Sequence, residues 1–261
     1  MAALAEALAD SASLEVLSFA FCGNQYSHQT NGRAMKITDL KCAVIGNSPV
    51  VRILTDEGLY GHGQIEESKP YVKPQVLFYR DLILGQDPTD VERVRDGIHA
   101  EHGLIDILVN NAGIVSGGTF VDVPLEKHLM TYEVNSLGPV IVTHAFLPDL
   151  MARPEAHIVC LASASSMIPL PNGVTYASSK WAVLGFTESL RVELEHDGNA
   201  HVGVTAVCPS YINTGMFDGV KPPLLVGLLT PQWLAKKIVR CVQKRKEQLC
   251  APFLVLSLIH I

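Results

Sequence analysis

Residues 35–66 fall into three short β-prone runs, Lys36–Ile45, Pro49–Thr55 and Leu59–Glu66. Gly46-Asn47-Ser48 and Asp56-Glu57-Gly58 separate them, and both are turn chemistries that join antiparallel neighbours. The period then changes. Pro74–Leu84 carries apolar residues at helical spacing and stops at Gly85, and Asp87-Pro88 reads as an N-cap followed by proline at the first helical position. Residues 35–94 are therefore expected to form a small α+β unit, an antiparallel three-stranded meander followed by helices.

From residue 95 to 256 the grammar is different. Ile105–Val109 is a continuous apolar run, suited to a strand buried on both faces. A long helical stretch, Leu125–Met151, follows it. Then come the strand His157–Leu161, the helix Tyr176–Glu195, the strand Val202–Val207, the helix Gln232–Gln248 and a last strand near Leu249–Leu254. Alternating strands and helices predict an α/β fold, a partial Rossmann-type parallel sheet with helices on its faces. The two plans meet without a linker, inside a helix expected around Val94–His102. Residues 1–34 begin with an Ala/Leu/Glu stretch of helical propensity and pass into Cys22–Arg33, which has no clear period; they are expected to be a poorly ordered extension.

Composition narrows the function classes. Hydrophobic residues make up 48% of the 261, enough for one large core or two smaller ones. A net charge of −6 argues against a nucleic-acid partner, since phosphate binding needs a basic face. The six cysteines (Cys22, Cys42, Cys160, Cys208, Cys241, Cys250) fall at no metal or disulfide spacing, which suits buried free thiols in a reducing compartment. His99 and His102 are the closest histidine pair, but no Cys or carboxylate set completes a site with them, so no metal is expected. No apolar run approaches the roughly 20 residues that span a bilayer. The apolar stretch at the start is broken by Glu6, Asp10 and Glu15, unlike a signal peptide. A cytoplasmic protein without a membrane partner is the expectation.

Candidate chemistry gathers in the second half. Tyr176 and Lys180 stand four residues apart and share one face of a helix. A phenol titrates near pH ~10, too high to donate readily at neutral pH. An ammonium beside it, or the first turn of a helix, favours the phenolate and makes a tunable acid/base. Ser163 lies just past the strand His157–Leu161, at the carboxyl edge where open parallel sheets bind ligands. Its hydroxyl has the reach to bond a carbonyl oxygen, although read alone it is more simply a serine in the Ser-rich turn with Ser165 and Ser166. Asn110-Asn111-Ala112-Gly113 follows Ile105–Val109 at the same edge and is either a turn that admits a nucleotide or a plain Asn/Gly turn. Asn135, in an otherwise apolar helix, is either a structural bond to a neighbouring loop or part of a proton relay.

Together and in this order, Asn110–Gly113, Asn135, Ser163 and Tyr176-x-x-x-Lys180 resemble the catalytic tetrad and the Asn-Asn-Ala-Gly turn of the short-chain dehydrogenase/reductase family. Cys208-Pro209-Ser210-Tyr211-Ile212-Asn213-Thr214 resembles that family's Pro-Gly segment beside the nicotinamide, with Ser210 in place of the usual glycine. The resemblance implies that Tyr176 is the general acid/base and that Lys180 binds the nicotinamide ribose and lowers the tyrosine pKa. It implies that Ser163 orients a substrate carbonyl and that Asn135 holds a relay water. Asn110, Ala112, Gly113, Tyr176, Lys180, Pro209, Ile212 and Thr214 would then line the cofactor, NAD or NADP. The expected reaction interconverts a small-molecule alcohol and carbonyl, and the apolar residues of Gly215–Thr230 (Met216, Phe217, Leu224, Leu225) suit either a hydrophobic substrate or a satellite core under a mobile lid. The family further implies a homo-oligomer through the helices Leu125–Met151 and Tyr176–Glu195.

The family's opening strand, Gly-rich turn and helix have no counterpart before residue 103. Gly58-Leu59-Tyr60-Gly61-His62-Gly63 is the nearest cluster, but it sits between β-prone runs and no helix follows. The first three strands of the parallel sheet are accordingly expected to be missing. Instead, Met35–Leu40, Val50–Gly61 and Asp87-Pro88-Thr89-Asp90 resemble the N-terminal capping domain of the mandelate racemase branch of the enolase superfamily, without the barrel that carries that family's chemistry. Leu256–Ile261 reads as an artefactual tail. A chimera of two unrelated segments is the resulting expectation. It leaves an inert fragment, or a remnant of an enolase-type dehydratase or racemase, as the alternatives to an oxidoreductase.

Overall fold

The computed structural model describes residues 16–19, 36–45, 48–56, 58, 60–64, 77, 84–85, 87, 90–213 and 227–252. Thr214, the tail Leu256–Ile261 and nearly all of the helix expected over Pro74–Leu84 lie outside these residues. The chain divides into two compact units, residues 23–91 and residues 1–22 with 92–261.

In the first unit, β2 (Ile37–Ile45), β3 (Ser48–Thr55) and β4 (Tyr60–Gln64) follow β1 (Val16–Phe19) in the chain. They form the expected antiparallel meander in the order β2-β3-β4. Leu40 pairs with Ile53 and Arg52 with His62. Gly58 takes a φ of 78°, which a residue with a Cβ adopts only under strain, and so lets the second turn close.

The second unit contains α1 (Val91–His102), β5 (Ile107–Asn110), α2 (Leu125–Tyr132), α3 (Gly138–Ala152) and β6 (Ala156–Leu161). After these come α4 (Val174–His196), β7 (Val202–Pro209), α5 (Pro231–Gln243) and β8 (Gln248–Ala251). Its sheet has the order β1-β5-β6-β7-β8 and every neighbouring pair is parallel. Side chains alternate across a strand. Ile107, Val109, Val159, Val207 and Ala251 therefore meet Leu234, Ala235, Ile238 and Val239 of α5 in one core. On the opposite face Asn110 reaches Thr143 of α3, and Cys160 reaches Thr187 of α4. Phe146 and Leu150 of α3 are completely buried. Among the described residues no helix is long and apolar enough to cross a membrane.

Four expectations need correction. Val16–Phe19, placed by sequence in a disordered extension, pairs with β5 through Val16–Ile107 to Phe19–Asn110. One strand thought missing is thus present, beside the strand that carries the Asn-Asn-Ala-Gly turn. The continuous helix Leu125–Met151 is broken at Glu133–Leu137 by a π-helical turn. Pro139 explains the break, because it has no N–H to return to the Asn135 carbonyl and its ring crowds that oxygen. Finally, α5 stops at Gln243 and not Gln248, with Arg245 turning the chain at a φ of 48°. The helix expected to begin at Pro88 begins at Val91, directly after Asp90.

His157 sits beneath the amino-terminal end of the sheet. Thr205 Oγ1 donates to the Lys246 carbonyl at 2.6 Å, so His157 Nε2, at 2.7 Å, must be the donor to Thr205. The imidazole lies flat against Gly203, where a Cβ would come within 2.4 Å of Nδ1. Burial, with Arg245 nearby, lowers its pKa from 6.5 to about 4. The unfolded chain therefore takes up this proton first, and the stability it confers is complete above pH 6.5 and lost as pH falls toward 4. Acid titration of unfolding should show a loss of about 3 kcal/mol over that window, and His157→Gln, which keeps a donor for Thr205, should flatten it.

Candidate active site

The carboxyl ends of β5, β6 and β7 bring the candidate residues to one edge. Just past β6, Ser163 caps a short 3-10 turn, Ala164–Ser166. Its Oγ accepts from the Ser165 N–H at 3.1 Å, and Ser166 Oγ accepts from the Ser163 N–H at 3.1 Å. Ser166 Oγ in turn donates to the Lys180 carbonyl at 2.7 Å, tying the turn to α4. Tyr176 lies in the first turn of α4, and its phenol hydrogen-bonds with Ser163. The tyrosine is buried, 6% exposed.

Lys180 is buried still more completely, at 4% exposed, and its Nζ donates to the Leu161 carbonyl at 2.7 Å. Burial lowers the ammonium pKa from 10.5 to about 8. For Tyr176 the balance runs against the expectation from sequence. Burial pushes the phenol pKa up, Ser163 pulls it down in part, and neighbouring Tyr211 raises it further. The loss of water around the phenolate outweighs the bond from Ser163, so the tyrosine is held protonated.

Asn135 sits in the π-helical turn with all its polar groups occupied. Its Oδ1 accepts from the Ile114 N–H at 2.8 Å, and Nδ2 donates to the Ile114 carbonyl at 3.0 Å and to Ser179 Oγ at 2.9 Å. Of the two roles open in the sequence, this arrangement is the structural bond to a neighbouring loop. It clamps the chain after Gly113 to α4, one residue from Lys180. Gly113 is confined by that clamp, since a Cβ there would lie 3.1 Å from Lys180 Nζ and 3.5 Å from Asn135 Oδ1. Asn110 turns its side chain inward, with Nδ2 donating to Thr143 Oγ1 at 2.8 Å and reaching Cys160 Sγ at 3.5 Å. Its amide therefore braces α3 against the sheet, and a role toward a ligand is left to the backbone of Asn111, Ala112 and Gly113.

The segment after β7 is held from two sides. Ser210 N–H donates to the Ala251 carbonyl at 2.7 Å, and Asn213 N–H to the Leu229 carbonyl at 2.9 Å. Pro209 ends β7, and Ile212 bridges Leu229 and packs on the α5 core. Serine at 210 is thus accommodated in an extended, sheet-like path. Sequence reasoning missed the Leu161 carbonyl, Ile114, Ser179 and Tyr211. The first two act through backbone atoms, which no residue type advertises. Ser179 is completely buried and needs a partner, which its residue type alone does not announce. Among the described residues no group of three His, Cys, Asp or Glu is placed to hold a metal ion.

A family profile described as short chain dehydrogenase matches residues 65–224, more than half of the chain. The chain belongs to the short chain dehydrogenase family. The match begins inside the segment that resembled an enolase-type cap, and that second resemblance finds no support in the comparison. Epidermal retinol dehydrogenase 2 of Mus musculus is 36% identical over 165 residues, 62% of this chain and 53% of that protein. The chain thus spans about half the length of the curated relatives it matches. A short chain dehydrogenase/reductase from Burkholderia phymatum, solved in complex with NAD, shares the fold at a TM-score of 0.60 and 23% identity, over 65% of this chain and 69% of that one. An alcohol dehydrogenase from Thermococcus sibiricus, complexed with 5-hydroxy-NADP, is 27% identical at a TM-score of 0.52, over 61% and 68% of the two chains.

For this short chain dehydrogenase the buried lysine carries a stability cost. The unfolded chain keeps the Lys180 proton up to pH 10.5, whereas the folded state releases it near 8, so the buried ammonium destabilises the fold at neutral pH. Lys180→Met removes that cost together with the bond to Leu161. Chemical denaturation at pH 7 should therefore find the variant about 1–2 kcal/mol more stable.

Proposed function

We propose that the chain is an NAD(P)-dependent oxidoreductase that interconverts an apolar alcohol and its carbonyl, with Tyr176 exchanging the proton. The observation that carries this reading is the buried Tyr176–Ser163 hydroxyl pair with Lys180 one turn further along α4. Ser163 donates to the oxygen of the reacting carbon or to the phenolate. Tyr176, kept protonated by burial, delivers its proton to that oxygen during reduction and recovers it during oxidation.

The residues present suit a nicotinamide dinucleotide. An ammonium has three protons, and Lys180 spends one on Leu161, which leaves two to hold ribose hydroxyls. Gly113 keeps the neighbouring backbone within reach because no Cβ intervenes. Lys180 and the backbone of Asn111–Gly113 and of Ile212 would hold the nicotinamide end, and the bound dinucleotide supplies or accepts the hydride. The choice between NAD and NADP rests on residues beyond β1.

An apolar substrate is supported by the composition of Gly215–Thr230 and by the retinol dehydrogenase among the relatives. A homo-oligomer belongs to the same proposal. Leu125, Leu129 and Tyr132 form a stripe on α2, and Val174 and Trp181 form another on α4; all five are exposed. A second copy of the chain covers such stripes, and sedimentation equilibrium should then give twice the chain mass, reduced to the monomer by Leu129→Glu/Trp181→Glu.

The enzymatic reading is tested with all-trans-retinol or retinal and each dinucleotide, followed by nicotinamide absorbance. Turnover should appear with one dinucleotide. Tyr176→Phe should lower kcat by about 10²–10⁴-fold while cofactor quenching of protein fluorescence persists. No quenching at millimolar dinucleotide refutes the proposal.

A further inference from the structure

His128 lies outside the family-type tetrad, yet it is buried and doubly bonded next to it. It sits on α2 at 8% exposure, seven residues before Asn135. Its Nε2 is 3.0 Å from the Phe120 carbonyl, which only accepts, so Nε2 carries the proton. In the neutral ring Nδ1 is then an acceptor, and it takes the Thr175 hydroxyl at 2.5 Å. Both nitrogens are thereby committed and the tautomer is set. Phe120 also lays its ring on the imidazole, with centroids 4.7 Å apart.

These two bonds join the loop that follows β5 to the first turn of α4 through one side chain. Thr175 immediately precedes Tyr176, in a first turn whose N-cap, Gly173, has no side-chain cap bond. Phe120 belongs to the loop from β5 to α2, which is pinned at Ile114 by Asn135, at Ser116 by Thr131, and at Gly118 by the Asn172 carbonyl. Beyond Gly118 that loop presents Phe120 and Val121 to solvent, 57% and 88% exposed. An apolar pair so exposed beside the reacting edge suits the rim of a site for a hydrophobic alcohol.

We infer that His128 is a positioning residue with two separable duties. Through Nδ1 and Thr175 it sets the height of the Tyr176 phenol, and through Nε2 and the Phe120 carbonyl it holds the apolar rim against substrate. This rests on the proposed oxidoreductase reading and adds to it a residue that selects for apolar substrates. The amide of asparagine reproduces only the Nδ1 position, and that of glutamine only the Nε2 position.

The test uses the full chain with all-trans-retinol and a short alcohol, ethanol. His128→Asn should keep kcat within about twofold and raise KM for retinol about tenfold, with KM for ethanol unchanged. His128→Gln and Thr175→Val should keep KM for both alcohols and lower kcat about tenfold. They should also shift the Tyr176 titration, read as the tyrosinate absorbance difference between each variant and its Tyr176→Phe counterpart. If the three variants lose kcat and KM together in step with their melting temperatures, His128 is a packing residue and the inference is overturned. If the unmodified chain oxidises neither alcohol, the oxidoreductase reading falls separately. The Tyr176 titration then still decides: a value unchanged in Thr175→Val refutes the positioning role, and a shifted one sustains it.

Discussion

One buried charge organises this site. An ammonium with almost no access to water survives inside a protein only where oxygen atoms replace its hydration, and among the described residues the Leu161 carbonyl at the end of β6 supplies such a contact. The other requirements follow from that placement. Gly113 leaves little room for a side chain, because a Cβ there would crowd the ammonium at 3.1 Å, and Asn135 holds the chain beyond it in place. Ser166 then fastens the Lys180 backbone to the turn that carries Ser163. The polar residues near the lysine are thus consumed by the framework, and two N–H groups are left over for a ligand.

The same burial sets the proton chemistry. Desolvation acts in opposite senses on the two ionisable groups of α4, raising the phenol and lowering the ammonium. From ordinary values of 10.0 and 10.5 the two cross and move apart, the lysine falling to about 8 while the tyrosine rises. A phenol so raised keeps its proton at neutral pH and is a weaker acid than in water. Ser163 is the one side chain in place that favours the phenolate now.

Much of this was legible in the chain itself. The turn Asn110–Gly113, Asn135, Ser163 and the Tyr176/Lys180 pair were readable because their residue types are unusual for the elements they occupy, and the sheet edge gathers them as strand–helix alternation requires. The strands β2 to β4 were readable from Gly-containing turns between β-prone runs. What escaped was non-local or carried by the backbone. Val16–Phe19 is four residues long, follows a helix-prone stretch, and becomes a strand only through a partner far along the chain. The π-helical turn escaped because apolar periodicity runs through it, and Pro139 marks it only once the Asn135 carbonyl is considered. The inward turn of Asn110 depends on Thr143, whose approach is a matter of helix packing. His128 was not singled out from sequence because its partners, a carbonyl and a threonine, come from two other segments.

The pairing of Val16 with Ile107 also sets an order of events in time. Strand β1 is made early, but its partner is complete only after residues 107–110 have been made, and a parallel neighbour cannot be reached by a short turn. Closing so large a loop is entropically costly and slow compared with the local pairing of β2, β3 and β4. As the chain emerges from the ribosome the antiparallel meander can assemble at once, while the first strand waits with both its edges unpaired. The interval between those two steps is when this molecule depends most on its surroundings, and its length is governed by the rate of synthesis more than by the strength of any contact in the finished sheet.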